Sequence, residues 1–129
     1  MKINGIQQLG VGVTDIEEAW NWYHRFFSMD ILMFDEEAVA ELMLAHTDGQ
    51  ARKRHAILAL NLEGGGGFEI WKHTGKNPTP IDFEIQLGDL GINIGVLKCQ
   101  DAEIAYQKYA SAGLNLLGEI SIDPNGKKH

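Results

Sequence analysis

Gln8-Leu9-Gly10-Val11-Gly12-Val13-Thr14-Asp15 is the stretch on which the fold turns. Alternation places Leu9, Val11 and Val13 on one face of an extended run and Gln8, Gly10 and Gly12 on the other, so the faces meet different neighbours. A strand is predicted over residues 3–13, and its apolar face needs a cover. Thr14-Asp15 ahead of Ile16-Glu17-Glu18 supplies a helix start with acids on the first turn, where the helix dipole favours them. Ile16, Ala19, Trp20, Tyr23, Phe26 and Phe27 then recur at helical spacing, carrying the helix to about residue 27 with its aromatic stripe in the core.

Working outward, residues 29–34 read as a short strand, 36–44 as a short amphipathic helix and 47–53 as a polar loop containing Asp48-Gly49. Strands over 55–62 and 68–73 flank Glu63 and the glycines at 64–67, which makes a hairpin with a permissive turn. Gly75, Pro78 and Pro80 mark residues 74–80 as a linker. A second cycle follows: an extended run over 90–99, a helix over 101–112 stopped by Gly113, a further extended run over 114–122, and the turn Asp123-Pro124-Asn125-Gly126. Val96-Leu97-Lys98-Cys99-Gln100-Asp101 repeats the strand-to-helix passage of the opening stretch, so strand, helix, strands occurs twice.

At 129 residues the chain fits one domain, and 44% hydrophobic with 22% charged residues supports a packed core rather than disorder. No apolar run approaches the roughly 20 residues of a membrane span, and Met1-Lys2-Ile3-Asn4-Gly5 lacks the apolar segment of a signal peptide. A cytoplasmic protein without a membrane partner is expected. Eighteen acidic against eleven basic residues give a net charge of -7, which repels phosphate backbones and excludes sequence-independent nucleic-acid binding. Arg52-Lys53-Arg54, the one basic cluster, is too short for a nucleic-acid patch and reads as a solvated loop. The single Cys99 rules out an internal disulfide and reads as structural.

With Ala19-Trp20-Asn21-Trp22-Tyr23, Gly67-Phe68-Glu69-Ile70 and Ala110-Ser111-Ala112-Gly113 added in order to the opening stretch, the chain resembles the vicinal oxygen chelate superfamily over most of its length. That superfamily includes glyoxalase I, methylmalonyl-CoA epimerase, extradiol dioxygenases and bleomycin-resistance proteins. The resemblance implies an α+β fold in which two βαβββ modules form a curved, open mixed sheet with the helices outside. It implies a single glyoxalase-like domain over 1–129, with a first module at 1–80 and a second, incomplete at its C-terminal end, at 88–129. It further implies a cavity in which a divalent metal, held by one side chain from each of four strands, polarises two neighbouring oxygens of a substrate.

The resemblance sets the first metal ligand on Gln8 and the second on Glu69, a hard oxygen donor that can double as the catalytic proton-transfer base. Alternation agrees: Gln8 shares its face with Gly10 and Gly12, and Glu69 shares its face with Trp71 and His73. The third ligand falls near Asn93 or Ile94, neither a strong donor, and the fourth has no counterpart. Trp71, His73 and Asn93 become candidate substrate-binding residues. Zn, Ni, Fe or Mn is implied only if the family chemistry is retained. Simpler roles stay open, with Gln8 as a hydrogen-bonded amide and Glu69 as the partner of Arg54 or His55. His24, His46, His55 and His73 form no His-x-x-x-His pair, and neither glycine run has the remaining residues of a phosphate-binding motif.

Two function classes remain, and enzyme status stays open between them. One is a metal-dependent lyase, isomerase or dioxygenase acting on a small oxygenated substrate. The other is a metal-free protein that binds or sequesters a small molecule, as bleomycin-resistance proteins do. An incomplete second module leaves sheet edges and apolar surface uncovered, so a homodimer is expected.

Overall fold

The computed structural model describes residue 2 and residues 5–129. The beginning of the first predicted strand, at Ile3 and Asn4, lies outside them, as does Met1. Four strands form one open mixed sheet in the order β1-β4-β3-β2, with β1 at Gln8–Gly12, β2 at Ile31–Val39, β3 at Lys53–Leu60 and β4 at Gly67–His73. β1 runs parallel to β4, and β4-β3 and β3-β2 are antiparallel. Helix α1 (Ile16–Phe27) crosses one face between β1 and β2, and helix α2 (Ala102–Ser111) belongs to the second half of the chain. The α+β class and the open mixed sheet are as the resemblance implies, and all four paired strands come from residues 8–73.

α1 begins where its first turn finds a cap. The Asp15 carboxylate accepts from the Glu18 amide at 2.9 Å, satisfying one of the donors a helix start leaves over. It ends on Ser28, at φ 50°, and the carbonyl of Phe27 accepts from Asn61 Nδ2 at 2.6 Å. Asn61 is buried and also accepts from the Glu63 amide at 2.6 Å, so one side chain closes the helix and starts the β3-β4 turn. Gly65 and Gly66, with φ of 73° and 92°, complete that turn in a conformation other residues adopt only under strain.

The core lies between α1 and the sheet: Ile16, Met29, Ile57, Ala59, Phe68 and Ile70 are buried together, with Leu9, Val11, Ala19, Trp20, Tyr23 and Phe27 packed around them. Tyr23 and Phe27 meet Phe68 with ring centroids at 4.5 and 5.8 Å. α1 therefore covers the Leu9 and Val11 face, leaving Gln8, Gly10 and Gly12 on the other side.

Two local expectations are corrected. Residues 36–39 continue β2 instead of entering a helix, and only Glu41–His46 turns, as a 3-10 helix. The reason is cross-strand pairing: Asp35 meets His55 at 2.6 Å and Glu36 meets Arg54 at 2.8 Å, which holds the acidic run extended. The same pairing overturns the solvated-loop expectation for Arg52-Lys53-Arg54, since Lys53 and Arg54 are the first residues of β3.

In the second half the helix forms as expected, capped by Asp101, whose carboxylate accepts from the amides of Glu103 and Ile104. Tyr109 ties it to the first half, donating from its hydroxyl to the Phe26 carbonyl at 2.9 Å. The runs at 90–99 and 114–122 form no ladder among the described residues; one bridge, Ile122 to Lys128, closes over the turn where the Gly126 amide bonds the Asp123 carbonyl. No helix among the described residues is long and apolar enough to cross a membrane.

Candidate functional site

The face of the sheet turned away from α1 carries Gln8 of the edge strand, Glu69, Trp71 and His73 of β4, and Arg54 of β3 beside the apolar Ala56 and Leu58. In register, Gln8 lies opposite Gly67 and Gly10 opposite Glu69 on the parallel β1-β4 pair. Gly67 has no side chain to oppose Gln8, and a Cβ there would strike the Ala59 carbonyl oxygen at 2.1 Å. Gln8 reaches past it along the strand, and its Nε2 donates to Glu69 Oε2 at 2.5 Å. A half-buried amide-to-carboxylate bond of this kind contributes about 1.5–3 kcal/mol and fixes the orientation of both groups.

Trp71, two residues beyond Glu69, shares its side of the strand. A Cβ placed on Gly10 or Gly12 would lie 3.8 or 3.9 Å from the indole, so the ring occupies the space above the glycines of the edge strand. His73 follows, its ring edge-on to Trp71 with centroids 5.3 Å apart. The structure thus brings four of the five candidate residues, Gln8, Glu69, Trp71 and His73, into one row along one face. Asn93 is not part of it: its Nδ2 donates to the Asp89 carbonyl at 2.9 Å, and it lines a separate cleft with Leu9, Val11, Tyr23 and Phe68, on the helix side of β1.

The alternative partners proposed for Glu69 are engaged elsewhere, Arg54 with Glu36 and His55 with Asp35. Gln8 and Glu69 give one amide oxygen and one carboxylate, and among the described residues no group of three His, Cys, Asp or Glu side chains converges as a metal site would require. This donor set does not fit a tightly held transition metal. What it can do is accept and donate hydrogen bonds to an oxygenated ligand, with Glu69 Oε1 left over by the bond to Gln8 as an acceptor.

A second set of groups lies at the far end of the same face, and sequence reasoning passed over it. Arg54 faces His73 across the β3-β4 ladder, and Arg52 precedes the strand by one residue. Arg52 Nε, Arg54 Nη1 and His73 Nδ1 are buried and have no hydrogen-bond partner among the described residues. Each such group costs about 1–3 kcal/mol if left unmatched. The signal in the sequence was Arg-Lys-Arg at the start of a strand, where alternation sends both arginines to one side.

No protein-family model matches the chain, and no curated protein matches it in sequence. Among solved structures it is similar to a glyoxalase family protein from Bacillus cereus, with a TM-score of 0.64 and 14% sequence identity, the likeness covering 97% of this chain and 83% of the other. At that identity the likeness is one of fold, and the chain has a glyoxalase-like fold.

Proposed function

We propose that the open face of the sheet binds a small oxygenated molecule without a resident metal, the Gln8 and Glu69 pair anchoring its polar end and Trp71 with His73 forming the wall it lies against. The observation that carries this reading is the direct Gln8 to Glu69 hydrogen bond beside the Trp71 indole, a fixed polar pair next to a flat apolar surface. Binding sites combine these two elements, area from an aromatic and orientation from a few polar groups. The glyoxalase-like fold supports it as a scaffold that presents such a face.

A titration with catechol, followed at the Gln8 side-chain amide resonances and, where the indole is present, at the Trp71 indole N–H, tests the reading. Saturable binding that Trp71→Ala removes and Glu69→Gln weakens at least tenfold is the expected result. Equal binding by both variants overturns it.

The second reading is a lyase, isomerase or dioxygenase in which Glu69 acts as base, favoured by the single hydrogen bond that holds this carboxylate in place. It predicts that added Zn, Ni, Fe or Mn is retained stoichiometrically through dialysis by the wild type and lost with Glu69→Gln. A homodimer accompanies either reading, because Ile81, Phe83, Ile85, Leu87, Leu90, Ile92, Ile94 and Val96 are all exposed in the single chain.

A further inference from the structure

The net charge of -7 spreads acids over most of the molecule, yet the end of the sheet beyond Trp71 is locally cationic. Arg52 and His73 line a cleft of about 260 Å³, joined by His46, Thr47 and Asp48 from the end of the 3-10 helix and by Lys76 from the segment after β4. Neither Arg52 nor Lys76 has a carboxylate within ion-pair distance among the described residues, although Asp48 shares the cleft. The buried and partnerless Arg52 Nε and His73 Nδ1 belong to the same lining. Buried polar groups are nearly always matched, so the orphaned Arg52 N–H and His73 ring nitrogen, beside an unpaired guanidinium and ammonium, mark a place where a polar partner is supplied from outside.

We propose that this cleft binds the anionic group, phosphate or carboxylate, of a small ligand. Arg52 supplies the planar guanidinium that recognises oxyanions through two parallel bonds, and Lys76 adds a second positive charge to the lining. His73 belongs to both the cleft and the Trp71 wall, so a ligand whose anion sits against Arg52 extends its body over Trp71 toward Glu69. This assignment of charge to the ligand rests on the proposed function for its second part, the shared Trp71 wall, whereas the anion cleft stands by itself.

Titration of the full chain with inorganic phosphate, sodium acetate and phenyl phosphate, followed at the imidazole resonances of His46 and His73, separates the two parts. Phosphate or acetate shifts both imidazoles saturably in the wild type. Arg52→Gln weakens the stronger of the two at least tenfold and Lys76→Gln at least threefold. Lys108→Gln, which removes an equal charge from α2, leaves it unchanged. The order of phosphate and acetate identifies which oxyanion the cleft prefers. Phenyl phosphate binding more tightly than phosphate and shifting the Trp71 indole supports the shared wall. Equal affinities with an unmoved Trp71 overturn that part while leaving the cleft. No saturable shift with any of the three anions, or equal shifts in Lys76→Gln and wild type, overturns the cleft itself, and the Lys76 variant keeps the test valid if Arg52→Gln does not fold.

Discussion

In β4, Phe68 and Ile70 alternate with Glu69 and Trp71 and are buried; at residues 81–87, Ile81, Phe83, Ile85 and Leu87 alternate as regularly with Asp82, Glu84 and Gln86, and all four stand exposed. The two stretches differ in their neighbours and not in their pattern. β4 has β1 on one side and β3 on the other to take its backbone groups, and α1 lies across its apolar side. Residues 81–87 have no ladder partner among the described residues, and their apolar side chains stay exposed even where Ile81 borders a cleft with α1. Alternation states which side chains share a face, and burial needs a second surface to meet that face.

The largest effect that sharpens this contrast comes from truncating one apolar side chain in each region. Ile70→Ala, at a position 1% exposed, is expected to cost about 2–5 kcal/mol in urea unfolding. Ile94→Ala, at a position 67% exposed in the single chain, is expected to change stability by no more than about 0.5 kcal/mol when measured at concentrations low enough to keep the chain monomeric. If the two cost the same, residues 81–96 are packed in solution. Sedimentation then identifies the cover, since the expected homodimer should hold protection of those amides that falls on dilution, and a monodisperse monomer would contradict it.

Asn61 is the next test, because it makes the first region's helix end and hairpin start one unit. Asn61→Ala removes the donor to the Phe27 carbonyl and the acceptor for the Glu63 amide. A loss of about 1–3 kcal/mol by thermal or urea unfolding is expected. A neutral result would show that the turn closes through its glycines alone.

The link between the regions is worth less. Tyr109 donates to the Phe26 carbonyl and packs edgewise on Phe27, and burial pushes its phenol above the ordinary tyrosine range. Tyr109→Phe keeps the ring and removes the bond, which should cost about 0.5–1.5 kcal/mol and speed amide exchange in α2 before that in β3. Simultaneous acceleration in both would mean that the regions unfold as one.

The smallest expected effect is local and depends on pH. The Lys127 amide, with the His129 ring and the Asn125 amide, holds the Asp123 carboxyl below the usual carboxylate range. A lowered folded value means that the carboxylate's contribution to the turn is fully present above the ordinary pKa and is lost as pH falls through the lowered one. Contacts between Ile122 and Lys128 should therefore persist at neutral pH and fade in strong acid, which nuclear Overhauser measurements can follow. Contacts unchanged throughout would assign the turn to Asp123-Pro124-Asn125-Gly126 backbone geometry alone.

Much of the candidate site could be read along the chain. Counting in twos puts Glu69, Trp71 and His73 on one face of β4 and Gln8 on the glycine face of β1, and the register of β1 on β4 brings those two faces together. Asn93 could not be placed that way, because its position followed from a strand that needs a partner to exist. The ion pairs of Asp35 and Glu36 were equally out of reach: their partners lie 20 and 18 residues away, and without them the acidic run looks like one face of a helix.

The sequence by itself determined the elements whose causes are local: the caps at Asp15 and Asp101, the helical stripe of α1, the glycine turn after Asn61, and the two-sided pattern of β1 and β4. Propensity, capping and periodicity act over a few residues and so are written in short stretches. Tertiary structure alone decided that β2 runs on to Val39, that Arg52, Arg54 and His73 converge, that Gln8 bonds Glu69, and that residues 81–96 remain uncovered. Each of these depends on which strand lies beside which, and strand pairing joins residues that the local pattern leaves unrelated.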